Sequence, residues 1–511
     1  MHPPAHEPIE TPLVRSQTRQ FVALLVICAA TAQALGLTLN MKSQFGANDI
    51  SRWCTVWSLL ERGTYAIDDC PWQGKTQDKV KKPDKLAPPG PEAGLLRKLE
   101  YGLAARSWKD GEPVERFYSS KPPLLPTLIA GLIYPVRKLS GVRLDRLATE
   151  PRLPRLVEKP VEGKPGVVEK VVEVPAEPVQ WPAWSFYFKS IILLLNVVPM
   201  FVFLIMYARL LDRYAANDWA WFFCLVSAAW GTLLFSFVQT LNNHTVAAWA
   251  AFFAIYGLIR IWDEGVRSAW TFAATGFWAA FCACNELPAA VFGLALFAIL
   301  AARFPRLTLL YFVPAATVPC VAFFVTQFIA LGQFKPVYEE FGTKSYTYEG
   351  SYWNEPLEMD WFNVHPEPKS VYLFHMTFGH HGVFSLTPIF LFSIAGAVAI
   401  VFGRGARLKP VAWLTLVLTA AMVAFYAWNP KARNYGGSTQ GLRWLFWLIP
   451  SWLVVLPPGV SGGQDRRWLR WLALAALFVS VLSVGYALRT PWSHPWLVDA
   501  MEHLGLYRLK R

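Results

Sequence analysis

Asp49 lies in the segment Gly46-Ala47-Asn48-Asp49-Ile50-Ser51-Arg52-Trp53, shortly after the first long apolar run of the chain. Trp53, Val56, Trp57 and Leu60 follow at helical spacing, then Glu61-Arg62-Gly63-Thr64-Tyr65, a pattern that predicts an amphipathic helix lying in a membrane interface. A carboxylate held there can take a proton from a substrate hydroxyl. The competing role for Asp49 is a helix N-cap, a position that Asp favours. Lys121, in Tyr118-Ser119-Ser120-Lys121-Pro122-Pro123-Leu124-Leu125, puts a cation beside two rigid residues where an apolar run begins. That suits a lipid phosphate, and a lysine snorkelling to the interface fits the same pattern.

Further candidates sit near the ends of other apolar runs. Arg433 and Arg443 flank Asn434-Tyr435-Gly436-Gly437-Ser438-Thr439-Gln440-Gly441. A guanidinium fork matches phosphate, and the glycines let a ligand come close to the backbone; the alternative is an ordinary interfacial loop. Asn243 and His244 stand at a turn, where they line a sugar pocket or cap a helix. Glu286 falls between two short apolar runs, and an ionisable group at that depth is a functional candidate by default, with a buried hydrogen-bonded pair as the alternative. His375, His380 and His381, with His365 nearby, could offer imidazoles to a divalent metal. Adjacent histidines rarely chelate one ion together, so pocket-lining roles are expected and no metal ligand is assigned.

The elements that must position these residues are membrane spans. Of 511 residues, 54% are hydrophobic and 16% charged, against about 25% charged in an ordinary domain. Apolar runs long enough to cross about 30 Å of hydrocarbon recur along the chain and must be helical there. Eleven spans are expected, at approximately 20–39, 185–207, 218–240, 244–260, 268–284, 287–303, 307–331, 385–403, 411–428, 441–458 and 468–488. Five basic loops, Arg209/Arg213, Arg260/Arg267, Arg303/Arg306, Arg404/Arg407/Lys409 and Arg466/Arg467/Arg470, are separated by even numbers of these spans, so all can face the cytoplasm. The net charge of +13 is therefore a topological signal, and no basic face with interleaved aromatics suggests nucleic acid. The run Leu124 to Val136 is short and carries Pro126 and Pro135, which predicts a re-entrant or juxtamembrane helix; a true span there would reverse every later loop.

The expected fold is an all-α polytopic membrane protein. Its parts are a cytoplasmic N-terminus (1–19), a module over 20–331 whose first outer loop (41–184) holds a flexible insert at about 150–179, a second outer loop (332–384), C-terminal spans (385–488) and an outer C-terminal tail (489–511). Cys28, Cys224, Cys282, Cys284 and Cys320 lie in apolar runs as packing residues. Cys54 and Cys70 share the first outer loop, bonded if that loop is oxidising and free thiols otherwise.

The order of features is specific. A first span, an Asp early in a long outer loop, a helix ending near Gly63-Thr64-Tyr65 and a Lys121-Pro122-Pro123-Leu124 helix resemble the GT-C membrane glycosyltransferases, in particular the protein O-mannosyltransferase and aminoarabinose transferase relatives. The resemblance implies a GT-C-like helical bundle with juxtamembrane helices in its outer loops. It also implies that Asp49 is a general base and that Lys121 holds the phosphate of a polyprenyl-phosphate sugar donor. Arg443 would assist Lys121, and Asn243, His244, Glu286, His380, His381 and Tyr435 would line the substrate pocket. The sequence departs from relatives that carry Asp-Glu where Asp49-Ile50 stands, and Glu where Ser120 precedes the Lys-Pro-Pro. The expected activity is transfer of a sugar to an outer lipid, glycan or protein acceptor, in a bacterial inner membrane. Rival readings are a ligase or polymerase acting on lipid-linked glycans, and a lipid or polysaccharide transporter; no internal repeat of the kind transporters show is visible.

Overall fold

The computed structural model describes residues 12–41, 46–85, 88–90, 92–105, 112–144, 147–150, 155–160, 168–173, 179–182, 184–340, 343–351, 368–404, 406–428, 435–437 and 439–506. His365, Arg433, Asn434 and Ser438 lie outside these residues.

After α1 (Pro12–Asn40) the first long loop builds α2 (Ala47–Arg62), β1 (Lys79–Pro83), α3 (Leu95–Ala104), β2 (Glu115–Ser119) and α4 (Leu124–Ser140). It continues through β3 (Leu147–Glu150), β4 (Arg155–Pro160), β5 (Val168–Glu173) and β6 (Val179–Pro182). The bundle follows with α5 (Trp184–Ile192), a π turn (Leu193–Val197), α6 (Val198–Tyr214), α7 (Asp218–Trp230), α8 (Leu234–Phe237), α9 (Asn243–Trp262), α10 (Ala269–Asn285) and α11 (Ala290–Arg303). Next come α12 (Pro305–Leu307), α13 (Val313–Leu331), α14 (Lys369–Thr377), α15 (Val383–Leu386), α16 (Ile389–Phe402) and α17 (Lys409–Trp428). The chain closes with α18 (Ile449–Val460), α19 (Arg467–Ala487) and α20 (Trp496–His503).

The stretches expected to span are largely helical, with breaks at 231–233 and 387–388, and 268–284 forms a helix (α10) that is not among the spanning candidates. Among the described residues, eight helical segments are long and apolar enough to cross a membrane, over Gln17–Asn40, Ser185–Tyr214, Asp218–Phe237, Asn243–Trp262, Pro305–Leu331, Lys409–Trp428, Arg443–Gln464 and Arg467–Ala487. Leu287–Arg303 and Ile389–Phe402 are shorter apolar helices. The chain is thus a mostly helical membrane protein. Helix packing inside it uses small residues, since lipid offers no hydrophobic drive between helices. Gly396 on α16 and Gly459 on α18 mark the closest approach: a Cβ on either would run into a backbone carbonyl of the other helix, Val455 or Phe392.

Two local details go beyond the sequence reading. The long loop after α1 also carries short strands: β1 pairs with β2, β3 with β6 and β4 with β5, all antiparallel. The last two pairs are nested as a strand arm. Its register sets Arg155 opposite Glu173, Glu158 opposite Lys170 and Lys159 opposite Glu169. Second, the run read as Leu124 to Val136 extends to Ser140, closed by left-handed Gly141. Leu125, Ile129 and Ile133 of α4 are buried while Leu128, Leu132 and Leu139 are exposed, the one-sided pattern of a juxtamembrane helix. α4 is not among the helices long and apolar enough to cross.

The five basic loops meet at one end of the bundle. Glu264 pairs with Arg213 and, at 3.0 Å, with Arg260. Arg303 lies over Trp262 at 4.5 Å, and Arg407 over Tyr214 at 4.7 Å. Arg470 reaches Trp219 at 5.5 Å. Helix α9 runs from this end to Asn243, about 30 Å away at 1.5 Å per residue. The candidate site residues gather at that far end.

Candidate functional site

Helix α2 begins after the extended Gly46, which takes the N-cap position without a side-chain cap. Asp49 is therefore in the first turn, not at the cap, where a negative charge still suits the helix dipole. It is fully buried. Its Oδ2 accepts a hydrogen bond from Trp492 Nε1 at 3.3 Å. Nearly one turn further on, Arg52 is also buried and donates from Nη1 to Asn48 Oδ1 at 2.8 Å and from Nη2 to Asn243 Oδ1.

Asn243 passes the network to a second carboxylate. Its Nδ2 donates to Asn285 O at 2.8 Å and to Glu286 Oε1, and His244 Nδ1 also contacts that oxygen. The chain can bend here because the broken backbone is satisfied from the side. Asn242 caps α9 by accepting from Thr245 N at 2.8 Å. Asn196, in the π turn, donates to Val238 O and Thr240 O at 2.9 and 2.8 Å. Irregular backbone at membrane depth needs such partners.

A third carboxylate, Asp78, was not singled out in the sequence. It lies just before β1 and pairs with Lys121 Nζ at 3.1 Å. Ser51 of α2 fixes both residues: its hydroxyl donates to Asp78 O at 2.5 Å and lies 2.6 Å from Ser119 Oγ. Ser119 Oγ in turn accepts from Lys121 N at 3.1 Å. Burial pushes the Lys121 ammonium below the ordinary lysine range, Asp78 opposes this, and Arg52 and Arg443 add to it. Burial likewise lowers Arg52 against the pull of Asp49, Asp78 and Glu286. An anion brought among Arg52, Lys121 and Arg443 would therefore relieve a real electrostatic cost.

Arg443 reaches the cluster from the far part of the chain. Its guanidinium carbon is 4.7 Å from the centre of the Trp492 ring, and it feels the charges of Asp78, Glu286, Arg52 and Asp49. Its Nε is buried without a hydrogen-bond partner among the described residues. Gly436, at φ +94°, gives it room, because a Cβ there would sit 3.4 Å from Arg443 Cγ.

The histidines form a separate, adjoining group. His375 and His380 stack with ring centres 4.0 Å apart, and His381 stacks on Tyr435 at 5.0 Å. The Nδ1 atoms of His380 and His381 are 2.6 Å apart, and His494 lies near His381, at 6.5 Å between ring centres. Burial pushes His380 down to about 3, with His375 and His494 adding to it, and pushes His381 well below the ordinary range. These are neutral pocket-wall groups at ordinary pH. Among the described residues, no group of three or more His, Cys, Asp or Glu is placed to hold a metal ion. The segments 435–443 and 492–494 touch both groups and join them.

Asp49, Lys121, Asn243, His244, Glu286 and Arg443 are thus brought together, with Asp78, Arg52 and Trp492 added by the fold. His380, His381 and Tyr435 line the neighbouring wall. An apolar groove of about 430 Å³ lies alongside, lined by Leu125, Leu128 and Leu132 of α4 with Leu195, Val246 and Phe281. Its lining includes Leu125, one helical turn after Lys121 in the sequence, and Val246, two residues after His244 on α9. No family model matches the chain.

Proposed function

We propose that the protein is an integral membrane glycosyltransferase that moves a sugar from a polyprenyl-phosphate donor to an acceptor hydroxyl outside the cytoplasm. The observation that supports this best is the position of the Lys121–Asp78 pair. It is flanked by Arg52 and Arg443, and the helix that follows Lys121 carries Leu125, Leu128 and Leu132 on the wall of an apolar groove. A ligand with an anionic head and a long apolar tail matches that combination.

In this reading the tail lies against α4 in the groove and the phosphate takes the place of Asp78 as partner of Lys121, with Arg443 on its other side. Asp49 accepts the proton of the attacking hydroxyl as its oxygen bonds to the anomeric carbon. The sugar–phosphate bond breaks on the opposite face, the phosphate keeps the electron pair, and the anomeric configuration inverts. Fixed cations already in place stabilise that leaving charge. Asn243, His244 and Glu286 hold the sugar hydroxyls, and the bland role of an N-cap is no longer open to Asp49. The shared end of the five basic loops would face the cytoplasm, which turns the site outward, in bacteria from the inner membrane.

The test is direct. Purified protein is incubated with labelled polyprenyl-phosphate sugars, wild type beside Asp49→Asn. Transfer in the wild type that is lost in Asp49→Asn supports the reading; transfer undiminished in the variant rejects Asp49 as base. Transfer of preformed lipid-linked glycans that needs Arg52 and Arg443 more than Asp49 would favour a ligase.

A further inference from the structure

The seven cysteines include two that meet in the first outer loop. Cys54 is in the middle of α2, facing inward with no exposed surface, and Cys70 sits in the turn that follows, 5% exposed. Both belong to the apolar cluster of Trp53, Val56, Trp57, Ile67 and Trp72, where the two thiols are neighbours. Both stand as free thiols in the structure. A second pair, Cys284 on α10 and Cys320 on α13, is in contact in the same way. The surroundings of the two pairs differ. Cys320 lies within the membrane-crossing segment Pro305–Leu331, and Cys284 packs with it, Leu124 and Phe323. Cys54 and Cys70 lie outside every candidate span, in the same loop as Asp49 and Lys121.

We infer that Cys54 and Cys70 form a disulfide in the mature protein, while Cys284 and Cys320 remain thiols. The inference rests on the outward placement of the site, because disulfides persist in oxidising compartments. The oxidant is a disulfide-bearing protein or small disulfide of that compartment. The Cys70 thiolate attacks it and releases one thiol, and Cys54 then attacks the mixed disulfide and releases the second. Two protons and two electrons leave the protein and the oxidant is reduced to its dithiol. Burial pushes the Cys54 thiol up, so exchange belongs to assembly, before α2 closes over the turn. The bond would pin α2, which carries Asp49 and Arg52, to the turn that leads into Asp78.

Living cells are treated with membrane-permeant N-ethylmaleimide before lysis, the full-length protein is purified under denaturing, non-reducing conditions, and peptides are mapped before and after reduction. The expected result is a peptide pair joined through Cys54 and Cys70, lighter by two hydrogens than the reduced pair, with Cys284 and Cys320 alkylated. Alkylation of Cys54 and Cys70 before reduction overturns the inference, as does a bond between Cys284 and Cys320 instead. An outward label at a cysteine introduced in place of Ser140, with Cys54 and Cys70 still free, would reject the disulfide while leaving the glycosyltransferase reading intact. A cytoplasmic label there would reject the outward site itself.

Discussion

Trp492 donates its indole N–H to Asp49 at 3.3 Å, joining residues from opposite ends of the chain. The same ring lies beneath Arg443. One aromatic side chain therefore sets the position of both the candidate base and a candidate phosphate ligand.

Asp49→Asn keeps the shape of this contact and removes the base, so kcat should fall by roughly 100- to 10,000-fold with donor binding little changed. Trp492→Phe keeps the ring under Arg443 and loses the hydrogen bond, and a smaller loss of roughly tenfold in kcat is expected. Turnover with a labelled polyprenyl-phosphate sugar checks both. A Trp492→Phe enzyme as fast as wild type would show that the bond does not position Asp49.

Lys121→Gln removes the cation and leaves a polar group of similar length. Donor KM should rise about 30-fold, the equivalent of roughly 2 kcal/mol for a hydrogen bond to a charged group. Asp78→Asn should leave donor KM nearly unchanged, because the phosphate is expected to replace Asp78 in any case. Equal KM defects in the two variants would argue against that exchange.

Glu286→Ala takes the shared acceptor from Asn243 and His244 inside a buried network. The cost should be about 3 kcal/mol, as for breaking a buried pair from one side. Thermal unfolding in detergent would show it as a lowered midpoint, with Glu286→Gln less affected because it keeps one oxygen.

Gly131 lines the groove, and a Cβ placed on it meets nothing within 4 Å. Gly131→Leu should fold at least as well as wild type, since leucine is favoured over glycine in a helix by about 1 kcal/mol. It should also fill the groove and raise donor KM. A long-chain donor should be hindered more than a short-chain analogue, and equal effects on the two would detach the groove from the lipid tail.

Acid should loosen the histidine wall. His380 is held at about 3 in the folded protein, against about 6.5 in an unfolded chain. Between those values the unfolded state binds the extra proton, so the stability is present above about pH 6.5 and is lost as pH falls toward 3. The slope is on the order of 1.4 kcal/mol per pH unit for each such site. Unfolding midpoints between about pH 7 and pH 5 should fall in the wild type and fall less in His380→Gln.

The positions of the membrane helices were legible because hydropathy is a local property: each apolar run must satisfy its own backbone wherever it packs. Asp49 and Lys121 were legible as charged residues beside apolar runs and prolines. The strand arm was not, since Val, Glu and Lys in that stretch read equally as a solvated linker until a partner strand is supplied. Arg52, Asp78, Trp492 and His494 gave only weak local signals, a lone charge, an aromatic or a histidine among many.

The sequence by itself determined that most of the chain is apolar helix and where most of those helices run. Only the tertiary structure decided that Asp78 partners Lys121, that Asn243 links Arg52 to Glu286, and that the C-terminal segment returns to Asp49. Hydrogen bonds and ion pairs act over a few ångströms, so contacts between residues hundreds of positions apart exist only once the bundle has packed.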